Sequence, residues 1–290
     1  MTSSSLAAAI TRATEHARAT GALLPLGIEQ STISGGDGFE FSVFCLTSLA
    51  LKDAAKLFNP NPGAKPTNPF LPFEQDLFVA NLSDTHVAIL NKFPLFEHHI
   101  LMVTRAYEEQ LSLLNIPDLA AVATTLTQLD GLVFYNGGVV AGASQPHKHL
   151  QWVPSGTFAI EAALPAAANC GELQQLPAFH FRHALIALDE KIVADPAQSA
   201  PYLHEIFYRA CAHCGVTATD GMLPPYNLLA GRRWLLLVPR SCEHWECDAE
   251  KVSMNAMSFA GSIFVRRSEH MELVRKAGPM ALLKAVTYPA

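Results

Sequence analysis

Apolar positions along this chain recur with two periods, and the switches between them mark out elements. Leu6, Ile10 and Ala13 recur at helical spacing, which predicts a first surface helix from about Ser5 to Thr20. Residues 39–46 alternate apolar with smaller or polar types and read as a strand. Residues 58–74 carry Pro60, Pro62, Pro66, Pro69 and Pro72 and read as a long loop of the kind that often serves function. Two apolar runs, 86–93 and 100–104, are joined by a connector short enough for an antiparallel pair. Pro117 and Asp118 open an apolar-periodic helix to about Leu129, and a strand follows at 132–135. A small-residue loop then leads to an extended segment from Gln145 to Trp152. Beyond Gly156 the chain turns Ala/Pro-rich. A strand is predicted at 179–185, a helix at 202–214, and a hairpin from 226–230 through Gly231 to 234–239. From Ser253 onward the pattern is helical, broken near Gly278 and Pro279. No internal repeat of fixed period is present. The sum is an α+β protein with a mostly antiparallel sheet.

Composition narrows the class. The chain has 290 residues, half of them apolar, enough for one large domain or two modest ones. A net charge of -6 gives no reason to expect nucleic acid or an anionic membrane as partner. No apolar run has the length of a bilayer span, and the Ser/Ala-rich start with Arg12 and Arg18 lacks an apolar signal core. A cytoplasmic protein is expected. Cys211 and Cys214 have the spacing of half a zinc site, and Cys242 and Cys247, flanking His244, would be the other half. The helical pattern running into Cys211 instead reads the first pair as small apolar residues, so no protein metal site is predicted.

The segment Gln145–Trp152 carries the chemistry. In an extended strand, His147, His149 and Gln151 share one face, while Lys148, Leu150 and Trp152 take the other. Three readings follow. Two His at this spacing can share a metal, but no third ligand lies nearby in sequence. Both can be half-buried and satisfied by the backbone. Or a neutral imidazole can attack phosphorus, with Gln151 donating to a phosphate oxygen and the N–H groups of the Gly142, Ala143, Ser144, Gln145 loop cradling others.

The blocks Asn136-Gly137-Gly138, Gly142-Ala143-Ser144-Gln145 and His147-Lys148-His149-Leu150-Gln151 resemble the ATP adenylyltransferases, the diadenosine tetraphosphate phosphorylases of the histidine-triad superfamily. So do Asn68-Pro69-Phe70, the stretch from His86 to Pro94, His99 to Thr104, Tyr226 to Leu229, and Trp234 to Ser241. The resemblance spans about residues 45–270. It implies a histidine-triad-like catalytic domain over 1–160 and an adenylyltransferase C-terminal domain over 161–290. It implies phosphorolysis of diadenosine tetraphosphate to ADP and ATP, reversibly, through an adenylylated His149. His147 and Gln151 would hold phosphate oxygens, and Asn136 with the Gly142–Gln145 loop would bind polyphosphate. Lys52, Asn91 and Lys92 fall at nucleotide-contacting positions, and Asn255, Ala256, Met257, Ser262 and Arg266 at substrate-contacting ones. Arg266 stands where the family tends to carry Lys. A divalent cation, Mg²⁺ on the polyphosphate, would be the cofactor. The partners would be nucleotides and phosphate, and the assembly a monomer or homodimer. Lys148, where hexose-1-phosphate uridylyltransferases typically carry Pro, weighs against that branch. A dinucleoside polyphosphate hydrolase and a non-catalytic nucleotide sensor are the further alternatives.

Overall fold

Strands whose two faces are both covered read as mainly apolar runs, and the runs at 100–104, 226–231 and 234–239, all buried, become the middle of one large sheet. The computed structural model describes residues 5–36, 38–46, 68–156, 158–165 and 169–290. Among these, fourteen strands form three sheets. The largest takes nine: β3 (Phe78–Asn81), β4 (His86–Leu90), β5 (Ile100–Thr104), β6 (Gly131–Gly137), β7 (His149–Pro154), β8 (Leu173–Gln174), β9 (Ala184–Ala187), β10 (Tyr226–Gly231) and β11 (Trp234–Pro239). Their spatial order is β3-β4-β5-β7-β6-β10-β11-β9-β8, antiparallel throughout. The sheet is continuous across residue 160, because β6 pairs with β10. A smaller sheet joins β1 (Ile28–Ser34) and β2 (Glu40–Leu46) to β14 (Ser262–Val265), which runs parallel to β2. β12 (His244–Cys247) and β13 (Glu250–Ser253) form a hairpin.

The large sheet separates two apolar layers. On one face lie α1 (Leu6–Thr20), α2 (Ile116–Gln128) and α5 (Ser199–His213), packed on alternate strand residues such as Leu150, Trp152, Leu228 and Leu237. On the other face lie the small sheet with α3 (Ala159–Ala163), α6 (Ala256–Phe259), α7 (Ser268–Ala277) and α8 (Pro279–Ala285), packed on Val153, Leu229 and Leu236. A one-turn helix, α4 (Glu190–Val193), precedes α5. α1 is capped by Ser5, and α2 by an Asn115–Asp118 capping box.

Several expectations are corrected. The run 86–93 ends as a strand at Leu90, because the Asn91 side chain takes the Phe93 N–H and turns the chain. Of 179–185, only Ala184 and Leu185 are strand. His183 ties up the local backbone through Leu176 N and Phe181 O, and Phe179 stacks on Phe181 instead of extending a ladder. The helical pattern from Ser253 gives way to β14, whose partner β2 lies far back in the chain. β1 carries few apolar residues and β3 is only four residues long, and both escaped the pattern. The segment 58–67 of the expected loop lies outside the described residues. Cys211 and Cys214 sit in the apolar layer of α5, and burial pushes both thiols up to about 12, so neither is a ready thiolate.

β7 itself begins at His149, and the residues before it are extended but change partner. Lys148 N–H donates to Glu108 O at 2.8 Å, and Gln110 N–H donates to Pro146 O at 2.8 Å. Lys148 points to the helix layer. Its Nζ is fully buried against Asp118 Oδ2 at 3.0 Å, Glu108 Oε2 at 2.6 Å and Leu113 O at 3.0 Å. Asp118 also accepts from His86 Nε2 at 3.1 Å. Lys148→Met would leave a buried carboxylate without its cation and is expected to lower unfolding free energy by about 3–5 kcal/mol in denaturant titration. A loss under about 1 kcal/mol would show that this ion pair does not hold α2 to the strand.

Candidate functional site

His149 stands at the point where β6 and β7 separate. The ladder pairs Phe134 with Gln151, and Asn136 and His149, two positions further along that register, are no longer among its pairs. The Gln110 carboxamide fills that gap. Its Nε2 donates to Asn136 O at 2.9 Å and His149 O at 3.2 Å, while its Oε1 accepts His149 N–H at 2.9 Å. One buried side chain thus replaces a strand's worth of backbone partners.

The His149 ring has a defined tautomer. Its Nδ1–H donates to His147 O at 2.8 Å, since a carbonyl can only accept. The lone pair is therefore on Nε2, which has no partner among the described residues. Burial lowers the His149 pKa to about 4, so the imidazole is neutral at physiological pH. The Phe70 ring lies against both His147 and His149, at 5.6 and 5.2 Å between centroids. His147 is differently placed. Its Nε2–H donates to Thr104 O at 2.8 Å and its Nδ1 accepts from Asn68 Nδ2 at 3.0 Å. Both ring nitrogens are thereby engaged within the protein, and what His147 gives His149 is its carbonyl.

A chain of bonds sets the Gln151 amide. Asn91 Oδ1 accepts the Phe93 N–H at 3.1 Å, which turns Asn91 Nδ2 to His99 Nδ1 at 3.2 Å. His99 Nε2–H then donates to Gln151 Oε1 at 3.0 Å. Gln151 Nε2 is left facing a cavity as a donor. Burial lowers the His99 pKa to about 4, which keeps this ring neutral too. The cavity is also lined by Asn91, Asn136, Gly142, Ser144, Asn255 and Met257, with Phe96 and Phe264 on an apolar side. Gly142 has φ +89°, and a Cβ there would come within 2.7 Å of Asn255 Cβ; the loop meets α6 only because this residue is glycine.

The remaining residues singled out from sequence are scattered around this centre. Ala256 contributes its N–H, donated to Asn136 Oδ1 at 2.9 Å. Asn255 caps α6, its Oδ1 accepting Met257 N–H at 3.0 Å, and also lines the cavity. Ala143 is buried and Gln145 half-buried in the loop. Lys92 is drawn away to Glu74 at 2.5 Å. Ser262 is buried in β14, and Arg266 is exposed just past its end. Lys52 lies outside the described residues. Sequence reading missed Gln110, His99 and Asn227 as parts of the site. His99 and Asn227 fall within stretches that resemble the family, but like Gln110 they show no role locally, since each acts on a residue dozens of positions away. Arg240 is buried and is not among the residues lining the cavity.

The family model for the Ap4A phosphorylase N-terminal domain matches residues 1–171, and that for the ATP adenylyltransferase C-terminal domain matches 175–289. The chain belongs to the Ap4A phosphorylase family. It is an enzyme of the nucleotidyltransferase type. A Saccharomyces cerevisiae relative, diadenosine 5',5'''-P1,P4-tetraphosphate phosphorylase 2, is 29% identical over 255 residues, covering 78% of this chain and 76% of that one. The yeast protein APA1 is 28% identical over 204 residues, covering 62% of this chain and 61% of its own. In fold, the chain superposes on the crystal structure of yeast Ap4A phosphorylase Apa2 in complex with AMP, with a TM-score of 0.79 at 24% identity over 98% of this chain and 96% of that one. The same yeast enzyme in complex with Ap4A gives a TM-score of 0.77 at 23% identity, covering 98% and 97%.

Within this family member the neutral, buried imidazoles have a measurable signature. His149 and His99 bind protons near pH 6.5 when unfolded but only near 4 when folded. Between those values the unfolded state holds more protons, so stability is complete above about pH 6.5 and is lost as pH falls toward 4. The melting temperature is expected to drop steadily over that window. A flat profile would show that these rings are not buried neutral. Gln110→Leu keeps the volume but strands the buried N–H and C=O of His149 and leaves Asn136 O with only the Gly138 N–H. It is expected to lose at least about 2 kcal/mol in denaturant titration, and a neutral result would remove Gln110 from the support of His149.

Proposed function

We propose that this chain catalyses the phosphorolysis of diadenosine tetraphosphate to ADP and ATP, with His149 Nε2 as the nucleophile. The observation that carries the reading is the 2.8 Å bond from His149 Nδ1 to His147 O. It leaves the lone pair on Nε2 and gives the positive charge that develops on the ring a carbonyl to lean on. Nε2 attacks the α-phosphorus, an N–P bond forms, and the P–O bond to ATP breaks with its electron pair leaving on ATP. An oxygen of inorganic phosphate then attacks the same phosphorus. The N–P bond breaks, its pair returns to Nε2, and ADP departs. Both steps reverse.

Gln151 Nε2 and Asn136 Nδ2 are donors for the phosphate oxygens in this reading, because each carbonyl oxygen is already occupied inside the protein. A neutral amide at 151 also fits the leaving group. A polyphosphate departs without a proton, so an acid at that position adds little. The described lining offers neutral amides and no carboxylate, which fits a divalent cation carried by the substrate. Mg²⁺ would neutralise charge on the polyphosphate and need no dedicated protein ligand. The same proposal places the enzyme in the cytoplasm, where its six free thiols would stay reduced.

The test is product analysis after incubation with diadenosine tetraphosphate, with and without phosphate. ADP plus ATP, formed only with phosphate, is expected. AMP plus ATP with no phosphate dependence would replace the phosphorylase reading with a hydrolase. ATP labelled at the α-phosphate should leave an acid-labile adenylyl group on the wild type and none on His149→Ala, which should fold normally and lose turnover by at least about a thousandfold. Retained turnover in His149→Ala would mean that another residue is the nucleophile.

A further inference from the structure

Arg240 is almost wholly buried at the end of β11, and among the described residues its guanidinium meets oxygens of amides and not of carboxylates. Nε donates to Val286 O at 3.1 Å. Nη1 donates to Asn227 Oδ1 at 2.7 Å and Met254 O at 2.9 Å. Nη2 donates to Cys242 O at 2.9 Å and Glu243 O at 3.2 Å. The Phe259 ring covers it at 5.7 Å. Burial lowers its pKa only to about 10, so it is charged at neutral pH.

A guanidinium donates and cannot accept, and that one-way property passes along a line of side chains. Asn227 must turn Oδ1 to Arg240. Its Nδ2 then points the other way, donating to Asn136 Oδ1 at 2.9 Å and Ala141 O at 2.8 Å. Asn136 Oδ1 also accepts the Ala256 N–H at 2.9 Å, which uses both its lone pairs. The group Asn136 has left for the cavity is Nδ2, which has no partner among the described residues. β6 and β10 make the line possible by placing Asn136 and Asn227 directly opposite each other.

We propose that Arg240 and Asn227 are positioning residues for polyphosphate: a buried cation, acting through two amides in series, fixes Asn136 as an N–H donor to a substrate phosphate oxygen. The dipoles of the linked bonds point the same way and reinforce one another. The arrangement suits a chain of net charge -6 that must take up a polyanion. It brings positive potential to the cavity without a surface cation that would compete for product. The identity of the ligand rests on the phosphorolysis reading above; the direction of the relay does not.

Asn227→Asp tests it. The variant keeps an oxygen for Arg240 and swaps the Nδ2 donor for a second oxygen. If Asn227 merely partners Arg240, the new ion pair leaves ligand binding unchanged. If the relay sets Asn136, the pull of the new carboxylate on its Nδ2 outweighs the Ala256 N–H on its Oδ1, the amide turns, and the cavity donor is lost. The expected result is a Kd for AMP, by titration calorimetry, and a KM for diadenosine tetraphosphate both raised roughly tenfold or more, the loss of one hydrogen bond to a charged group, in a variant that circular dichroism shows to be folded although its new carboxylate also faces Ala141 O. A folded variant with both constants within about twofold of wild type would overturn the proposal. The wild-type protein supplies a second measurement that needs no variant to fold well. Its Asn136 side-chain amide resonance, in ¹⁵N-labelled protein, should shift on AMP addition. An unmoved resonance at AMP saturation would also overturn the relay. AMP binding is read without turnover, so failure of phosphorolysis would sink the functional reading and leave this test standing.

Discussion

The Lys148 ammonium, buried under the sheet with Asp118 and reached by the partly exposed Glu108, holds the register on which the site depends. Side chains on a strand alternate, so a slip of one residue would exchange faces. It would put a charged ammonium into the cavity and two imidazole positions into an apolar helix layer. The ion pair makes that slip prohibitive. Leu150 and Trp152 on the same face anchor it further among the residues of α1, α2 and α5. His149 and Gln151 take the opposite face, the one on which Gln151 lines the cavity, as the complement of this packing.

With register set, recognition reduces to which way side-chain amides point. An amide can present oxygen or nitrogen at nearly equal steric expense, so its direction must come from a neighbour that cannot reverse. The molecule uses three such anchors. The Phe93 N–H settles Asn91, and through His99 it settles Gln151. The His149 N–H settles Gln110. The Arg240 guanidinium settles Asn227, which acts with the Ala256 N–H on Asn136. Two of these lines end at the cavity as donors. The site therefore greets an anion with neutral groups held in place by burial, and the same burial keeps His149 and His99 unprotonated.

Much of this was legible in the order of residues. The apolar periods marked α1, α2, α5 and the β10–β11 hairpin, and the alternation at 147–151 separated Lys148 from His149 and Gln151 before any coordinates. Local side-chain chemistry defeated the same method at Asn91 and His183, where a polar side chain took backbone groups that a ladder would have used. It failed at β14 because a short strand pairing with a distant partner carries no period of its own.

What the sequence by itself determined was the chemistry available: a strand bearing imidazole, imidazole and amide at alternate positions, beside a loop of small residues. That follows from covalent geometry, since the period of a strand is the same in any fold. The tertiary structure decided which nitrogen of His149 carries the lone pair, why His147 offers a carbonyl more than a ring, and that Gln110, His99, Asn227 and Arg240 belong to the site at all. The His149–His147 bond joins residues two apart and the others join residues far apart in the chain, but in every case the direction of the hydrogen bond is a property of the pair as the fold presents it.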